Sequence, residues 1–451
     1  MQNYVNEILN NIQKKEPYNT KFLESTTDVL NSVIPYLNQH PNLKKLSLLE
    51  RLVEPERVIM FRVPWVNDNG EIKVNRGYRV EFNSAIGPYK GGTRFHPNVT
   101  IDTFKFLAFE QTFKNALTSL NIGGGKGGAD FNPHGKSDME IMRFCQSFMT
   151  ELYRHIGDRT DIPAGDIGVG EREIGYLFGM YKKLTNKFDG ALSGKPLEFG
   201  GSFCRIEATG YGAVYFAEKM LNSHNDTLKG KKVSVSGAGN VAFHVMQKLY
   251  EYGAIPITCS DSQGFLYDED GINLQIIAKL KHESHESVEK YLDHRKYAKY
   301  TPRTKFHKTR NDIWNIPTDV IMPAATENEI NLNDAKIIVK NGVKYVIECS
   351  NMPSTPDAIK YFLENNILFA PSKAVNAGGV VTSVYEMSQN ATFEPLNKDI
   401  LDEKLKEEMK KIYIDIALIS KEYGCEDNLV IGANIKGFSK VSQAMIKQGV
   451  I

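Results

Sequence analysis

Residues Lys231 to Gly253 read K-K-V-S-V-S-G-A-G-N-V-A-F-H-V-M-Q-K-L-Y-E-Y-G. The alternation up to Val235 predicts a strand, Gly237-Ala238-Gly239-Asn240 a turn, and the run beyond it a helix with Ala242 at the third small-residue position. This is G-x-G-x-x-A between a strand and a helix, and an acid, Asp261, ends the following strand 22 residues beyond Gly239. Such a turn brings backbone N–H groups at a helix N-terminus up to a pyrophosphate, where orphan donors and the helix dipole favour negative charge. The alternative is a glycine-rich turn in an ordinary α/β sheet; strand, helix and acid together favour a dinucleotide site built on Gly237, Gly239 and Asp261. The acid gives conflicting advice about the cofactor. Asp261 suits the ribose hydroxyls of NAD and repels a 2′-phosphate. Yet Ser262 follows it, and Lys290, Arg295 and Lys296 lie downstream where a phosphate could be met, so these residues leave both cofactors open.

Outward from this unit, strand-like runs (V-S-V-S, I-P-I-T-C-S, V-I-M-P, Y-V-I-E-C-S, I-L-F-A-P-S) alternate with helical ones up to about residue 375, the pattern of a mostly parallel sheet. A long helix from about 399 to 423 leads to a final amphipathic segment. Upstream, P-L-E-F-G-G-S at 196–202 interrupts the periodicity and reads as a domain boundary. The first 55 or so residues read as amphipathic helices, with Phe22, Val29, Val33 and Leu37 at helical spacing. Two strand-like runs then flank N-D-N-G, whose Asn69-Gly70 is a strong hairpin signal. A helix carries Phe106, Phe109, Phe113 and Leu117 on one face with Gln111 and Lys114 as neighbours at its margin, and another starts at Ser137.

The chain has 451 residues, enough for two domains, and is 41% hydrophobic with a formal net charge of +1. That balance gives no global field to attract nucleic acid or an anionic membrane. Five scattered cysteines without a C-x-x-C pair argue against a disulfide framework or a cysteine-rich zinc site. With no secretory signal and no apolar run of spanning length, a soluble cytoplasmic protein is expected.

A second constellation lies in the N-terminal half. Asn121 to Asp130 reads N-I-G-G-G-K-G-G-A-D, with Lys126 among five glycines. Glycines there predict tight folding and close approach of a ligand, with the lysine presented rather than packed. Lys90 in G-P-Y-K-G-G and Lys114 in E-Q-T-F-K-N add two ammonium groups, and Asp166 in I-P-A-G-D-I-G adds a carboxylate. Three lysines around a small pocket suit a substrate with two carboxylates. Crowding by like charges and partial desolvation lowers the pKa of one lysine toward a value useful for proton exchange, with Asp166 as the complementary carrier. Any single lysine is more often a solvated surface charge, but Lys90 and Lys126 are hemmed by glycines.

Three apparent motifs fail. Gly135-Lys136-Ser137 resembles the end of a P-loop, but Asp130 stands where the upstream glycine is required. His282 and His285 lack H-E-x-x-H spacing, so a solvated helix is expected rather than a zinc site, and no metal is called for. No G-x-S-x-G elbow is present.

From about residue 45 onward, G-P-Y-K-G-G, G-G-G-K-G-G-A-D-F, M-R-F-C-Q-S-F-M-T-E-L, P-A-G-D-I-G-V-G, E-A-T-G-Y-G, S-G-A-G-N-V-A, N-A-G-G-V, E-M-S-Q-N and G-A-N-I-K-G-F occur in order. With them the chain resembles the hexameric glutamate dehydrogenases. The resemblance implies a two-domain α/β fold. A substrate-binding and oligomerisation domain would span 1–199, rejoined by a C-terminal helix at 428–451, and a Rossmann-like dinucleotide-binding domain would span 200–427, with a cleft between them. It implies Lys90 and Ser383 for the distal carboxylate, Lys114 and Gln111 for the α-carboxylate, and the Gly165 carbonyl near the amino group. Lys126 is similar to the catalytic lysine and Asp166 to its acid–base partner. Thr209 and Asn240 resemble cofactor contacts, with Asn351 and Asn376 as further ones. A charged Lys90 with a hydroxylic Ser383 favours a dicarboxylate over the apolar substrates of related branched-chain and aromatic amino-acid dehydrogenases. The reaction implied is reversible oxidative deamination of L-glutamate to 2-oxoglutarate and ammonia by a homohexamer. Gly125 stands where relatives often have alanine, a harmless departure, and Cys204 stands beside Arg205. The S-D-S around Asp261 is similar to NADP-using members, so the resemblance leans to NADP where the acid alone leans to NAD.

Overall fold

Why the chain forms two sheets follows from where its short-period and long-period patterns fall. The computed structural model describes residues 1–451 apart from the side chain of His282. The expectation for the His282–His285 pair therefore lies partly outside the described residues. The chain forms two units: residues 1–203 with 380–401 and 434–451, and residues 204–379 with 402–433. Residues 380–401 thus belong with the first unit, whereas the sequence boundaries placed them in the second.

In the first unit, β1 (Arg57–Val66) and β2 (Ile72–Asn83) pair antiparallel from Arg57 opposite Glu81 to Val66 opposite Ile72. Gly70 takes φ +79° in the connecting turn, where Asn67 Oδ1 accepts from the N–H groups of Asn69 and Glu71, so the expected Asn-Gly hairpin is present. With β3 (Tyr89–Phe95), β4 (Gly124–Ala129) and β5 (Asp161–Gly165) the order is β1-β2-β4-β3-β5. β4 is the glycine run around Lys126, and it differs from the tight fold expected there. It is a fully buried strand, antiparallel to β2 and parallel to β3. The glycines serve packing. A Cβ on Gly124 would run into Thr112 of the adjoining helix, and one on Gly127 would come within 2.5 Å of the Tyr78 carbonyl oxygen. At Gly125 the spacing is 3.1 Å to the Val80 carbonyl oxygen and 3.3 Å to Tyr89 Cβ, so alanine there requires a small shift of its neighbours.

Helix Ile101–Leu117 covers one side of this sheet, capped at Thr100, and is buried on most of its surface rather than along one stripe. Phe109 packs edge-on against Phe22 and Phe82, with ring centroids 5.7 and 5.5 Å apart. Phe22, Val29, Val33 and Leu37 of the leading segment are buried as their spacing predicts. Helices Asp138–Leu152 and Glu171–Thr185 contribute to a second cluster centred on Trp65, Phe95, Phe131, Phe144 and Phe148. The Ser137–Glu140 capping box starts the first of these helices at the expected residue. Residues 434–451 also lie in this unit, where Lys440 Nζ donates to the carbonyls of Thr118 and Leu120.

The second unit carries β6 (Lys232–Val235), β7 (Ile255–Ser260), β8 (Gly264–Tyr267), β9 (Lys299–Pro302), β10 (Val320–Met322), β11 (Tyr345–Ile347) and β12 (Leu368–Ala370) in the order β12-β11-β10-β6-β7-β8-β9. The five strands read from the sequence are parallel. β8 and β9 were not visible in the sequence; they add an antiparallel edge. Among the described residues, no helix is long and apolar enough to cross a membrane.

Candidate functional site

The first unit gathers its charged residues where β3, β4 and β5 run side by side. Lys126 is 7% exposed, and its Nζ lies 3.2 Å from Oδ2 of Asp166, which directly follows β5. Gly92 makes this approach possible: a Cβ there would fall 2.8 Å from Asp166 Cβ, 3.1 Å from Lys126 Nζ and 3.1 Å from the Gly165 carbonyl oxygen. A Cβ on Gly91 would lie 3.3 Å from Gln111 Cγ. Lys90, next to them on β3, is 3% exposed, and its carbonyl accepts from Asn115 Nδ2, whose Oδ1 in turn accepts from Gln111 Nε2 at 2.7 Å. Lys126, Gly165 and Asp166 are thereby brought together, the Lys90 backbone is tied to Gln111 through Asn115, and Lys114 sits one turn beyond Gln111 on the same helix.

Ser383 reaches the same unit by another route. It lies on helix Gly378–Thr392, one turn before Glu386, and is 2% exposed. Glu386 is fully buried, accepts from the N–H groups of Gly194 and Lys195, and forms an ion pair of 2.9 Å with Lys195 Nζ. Gly194 abuts β5, its Cβ position being 3.9 Å from the Gly165 nitrogen. Ser193 beside it is buried, with an Oγ that has no hydrogen-bond partner.

Electrostatics separate the two proton-handling groups. Burial lowers the pKa of Lys126; Asp166 opposes that shift, and Arg94 and Arg79 add to it. For Asp166, burial alone raises the pKa, but Lys126 and Arg94 outweigh it and hold the carboxyl down at about 2. Arg94 Nε donates to Asp166 Oδ2 at 2.8 Å. Arg79 forks onto both oxygens of Asp161 and donates to the carbonyls of Gly91 and Gly92, fixing the strand that carries Lys90. Arg79, Asp161, Arg94, Lys195 and Glu386 were all missed in the sequence reading. Their partners are 72 to 191 residues away in the chain, and only P-Y-K-G-G-T-R marks one of them, as an arginine two residues past the glycines.

In the second unit, Gly237 takes φ +84°, a conformation that favours glycine, and Gly239 caps helix Asn240–Glu251 without a side chain. The first-turn N–H groups are therefore left to a ligand, and a Cβ on Gly239 would meet nothing within 4 Å, so the approach is open. Asn240 Nδ2 donates to the Ile206 carbonyl at 2.7 Å. Thr209 Oγ1 lies 2.9 Å from the Cβ position of Gly379. Asn376 Nδ2 donates to Asn351 Oδ1 at 2.9 Å, while the buried Asn376 Oδ1 has no partner, an acceptor left for a bound amide or hydroxyl. These features fit a dinucleotide. Asp261 is engaged in its own loop: Oδ1 accepts from Gln263 N–H, and Oδ2 from Val288 N–H at 2.9 Å and from Lys281 Nζ at 3.5 Å. Ser262 is exposed next to it. Among the described residues, no cluster of His, Cys, Asp and Glu is arranged to hold a metal ion.

Comparison with known proteins covers nearly the whole chain. Residues 200–449 match the family model described as Glutamate/Leucine/Phenylalanine/Valine dehydrogenase, and residues 55–183 the model described as Glu/Leu/Phe/Val dehydrogenase, dimerisation domain. An NADP-specific glutamate dehydrogenase of Helicobacter pylori is 54% identical over 99% of this chain and 100% of its own. An NAD-specific glutamate dehydrogenase of Clostridium symbiosum is 48% identical over 100% of both. The crystal structure of Plasmodium falciparum glutamate dehydrogenase superimposes with a TM-score of 0.96 at 48% identity, covering 100% of this chain and 95% of that one.

Proposed function

The chain belongs to the glutamate/leucine/phenylalanine/valine dehydrogenase family, and from that premise we propose that it catalyses the reversible oxidative deamination of L-glutamate to 2-oxoglutarate and ammonia with NADP. The observation that carries this reading is the contact of 3.2 Å between Lys126 and Asp166, with the Gly165 carbonyl next to both. A mere nucleotide binder has no use for a proton-transfer pair.

In this reading Lys90 and Ser383 hold the distal carboxylate, Lys114 and Gln111 the α-carboxylate, and the Gly165 carbonyl accepts from the amino group. Asp166, ionised through its contacts with Lys126 and Arg94, takes the proton of the substrate ammonium. Lys126, with its pKa lowered by burial, then activates the water that attacks the imino carbon, while Asp166 passes protons to the leaving ammonia. Bound NADP supplies the hydride acceptor. Gly237, Gly239 and Asn240 would hold its pyrophosphate, Thr209, Asn351 and Asn376 the nicotinamide end, and Asp261 with Ser262 the adenosine end. Residues 204–379 with 402–433 form the dinucleotide-binding part, and the remainder the part for substrate and subunit contacts.

NADP is preferred because the relative from H. pylori, at 54% identity, bears that specificity in its name. A second reading, preference for NAD, draws on the relative from C. symbiosum. We further propose a homohexamer in the cytoplasm. The β1–β2 hairpin exposes Val58, Met60, Val66, Ile72 and Val74, an apolar face suited to contact with another copy.

The test is oxidation of NADPH and of NADH by the purified protein with 2-oxoglutarate and ammonium. Turnover with NADPH that requires both substrates is expected, with NADH less efficient. No oxidation of either cofactor would remove the proposed activity, and a higher kcat/KM for NADH would reverse the cofactor. A sedimenting particle of other than six chains would remove the hexamer.

A further inference from the structure

The two arginines of the first unit's sheet are used differently. Arg79 is satisfied as a structural arginine usually is, with its fork on both oxygens of the fully buried Asp161. Arg94 is not. The parallel register of β3 and β5 sets Thr93 opposite Gly165, so the next residues, Arg94 and Asp166, come side by side where the strands end. Nε alone reaches the carboxylate, at Oδ2, and the buried Nη2 has no partner. Lys126 approaches that same Oδ2. Among the described residues, no donor reaches Oδ1. The peptide around Asp166 is fixed as well: its carbonyl accepts from Val169 N–H at 2.9 Å across a turn in which Gly168 takes φ +74°.

We propose that Arg94 is a positioning residue of the reaction: by holding Oδ2 of Asp166 from the β3 side, it leaves Oδ1 as the oxygen that meets the substrate amine. A guanidinium serving stability alone would take both oxygens, as Arg79 does with Asp161. Here one-sided binding leaves the buried Nη2 unsatisfied, a cost that the fold carries at this position. Without Arg94 the carboxylate can rotate and give both oxygens to Lys126, closing the pair and removing the acceptor. The charged groups facing Asp166 are Lys126 from β4 and Arg94 from β3, with Arg79 of β2 acting on Lys126 from farther off. Removing Arg94 therefore leaves desolvation less opposed, and Asp166 must then titrate at higher pH.

The inference rests on Asp166 being the acid–base group, so Asp166→Asn is measured alongside. If that variant turns over normally, the reading of Asp166 fails, whatever Arg94 does. If it is impaired, Arg94 is tested on its own. Arg94→Gln is expected to lower kcat by roughly 10–100-fold, part of the 10²–10⁴ that a positioned acid–base group contributes, with KM for glutamate changed by less than about threefold. The acid limb of its kcat/KM profile is expected to move up by about one pH unit. Arg94→Lys keeps the charge but loses the planar Nε contact that fixes Oδ2, so its limb stays in place while kcat falls by about tenfold. Wild-type kcat and an unmoved limb in Arg94→Gln overturn the inference. Should Arg94→Gln fail to fold, Arg94→Lys decides alone: wild-type kcat overturns the inference, and a reduced kcat with an unmoved limb upholds it.

Discussion

Asp166 and Glu348 occupy corresponding places in the two sheets, each directly after a parallel strand, β5 and β11; Glu348 is buried and Asp166 partly so. Their proton affinities nevertheless move in opposite directions. Asp166 meets two cations and is held down at about 2. Glu348 meets only neutral donors, the N–H groups of Ser354 and Ser372 at 3.1 and 2.9 Å, and burial pushes it up to about 7. Backbone dipoles reduce the desolvation penalty of a carboxylate without cancelling it, whereas full charges at 2.8 and 3.2 Å reverse the sign. The first arrangement makes a base that stays ionised at working pH. The second makes a clamp between loop 350–354 and the residues that lead to Asn376.

The hardest test of this contrast removes a cation. Lys126→Met keeps most of the side chain's length and takes away its charge and its protons. Turnover is expected to fall by about 10²–10⁴, equivalent to roughly 3–5 kcal/mol of transition-state stabilisation, with the protein still folded. Steady-state kinetics over a range of pH decide it. If kcat stays within tenfold of wild type, Lys126 is not a proton-handling group and the contrast loses its functional meaning.

A smaller effect is expected from removing the neutral-donor clamp. Glu348→Ala leaves two buried N–H groups without acceptors and should lower stability by about 2–3 kcal/mol, measured by denaturant unfolding. Glu348→Gln keeps one acceptor oxygen and removes the titration. Because the folded-state pKa of about 7 lies above the ordinary 4.5, the contribution of Glu348 is fully present below pH 4.5 and is lost as pH rises through 7. Stability of the Gln variant should therefore fall less than that of wild type between pH 5 and pH 8. Equal slopes would mean that Glu348 is not raised at all.

Legibility in the sequence followed the same division. The second unit's site is local: strand, turn and helix fall within Lys231–Gly253, so Gly237, Gly239 and the uncapped helix start could be read from spacing. In the first unit, single residues could be read but their partners could not. Lys126 and Asp166 were marked by their glycines and by resemblance, yet the Arg94 that orients Asp166 lies across a strand pair whose register no local pattern encodes. The glycine run was read as a tight fold because it carries no side-chain alternation. It becomes a strand because Thr112, Tyr78 and Arg94 press on it from both neighbours and from the covering helix. β8 and β9, four residues each, are too short to register as period-two runs. Residues 380–401 read as continuous with the dinucleotide-binding part, although Ser383 and Glu386 belong with Lys195 and the first unit.

The comparison sharpens most on a third carboxylate, Glu81, because it lies in the same sheet as Asp166 and behaves like Glu348. It is fully buried on β2, both of its oxygens lack hydrogen bonds, and its nearest cation, Arg57, is 3.5 Å away and mostly exposed. Burial and the nearby Asp161 push it up to about 7, with Arg57 and Arg79 only partly opposing them. Sharing a sheet with arginines is therefore not enough; a cation must contact the carboxylate in a buried setting, as it does at Asp166. Glu81→Gln tests this with the smallest expected effect. At pH 5 both folded proteins are neutral at this position, and the two should differ by less than about 1 kcal/mol. The contribution of the raised carboxyl is lost as pH rises through 7, so wild type should lose more stability than the variant between pH 5 and pH 8, and the variant should become the more stable protein. Glu348 is present in both proteins and cancels in the difference. An offset that is the same at pH 5 and pH 8 would place Glu81 among ordinary carboxylates, and contact with a cation would no longer be what distinguishes Asp166.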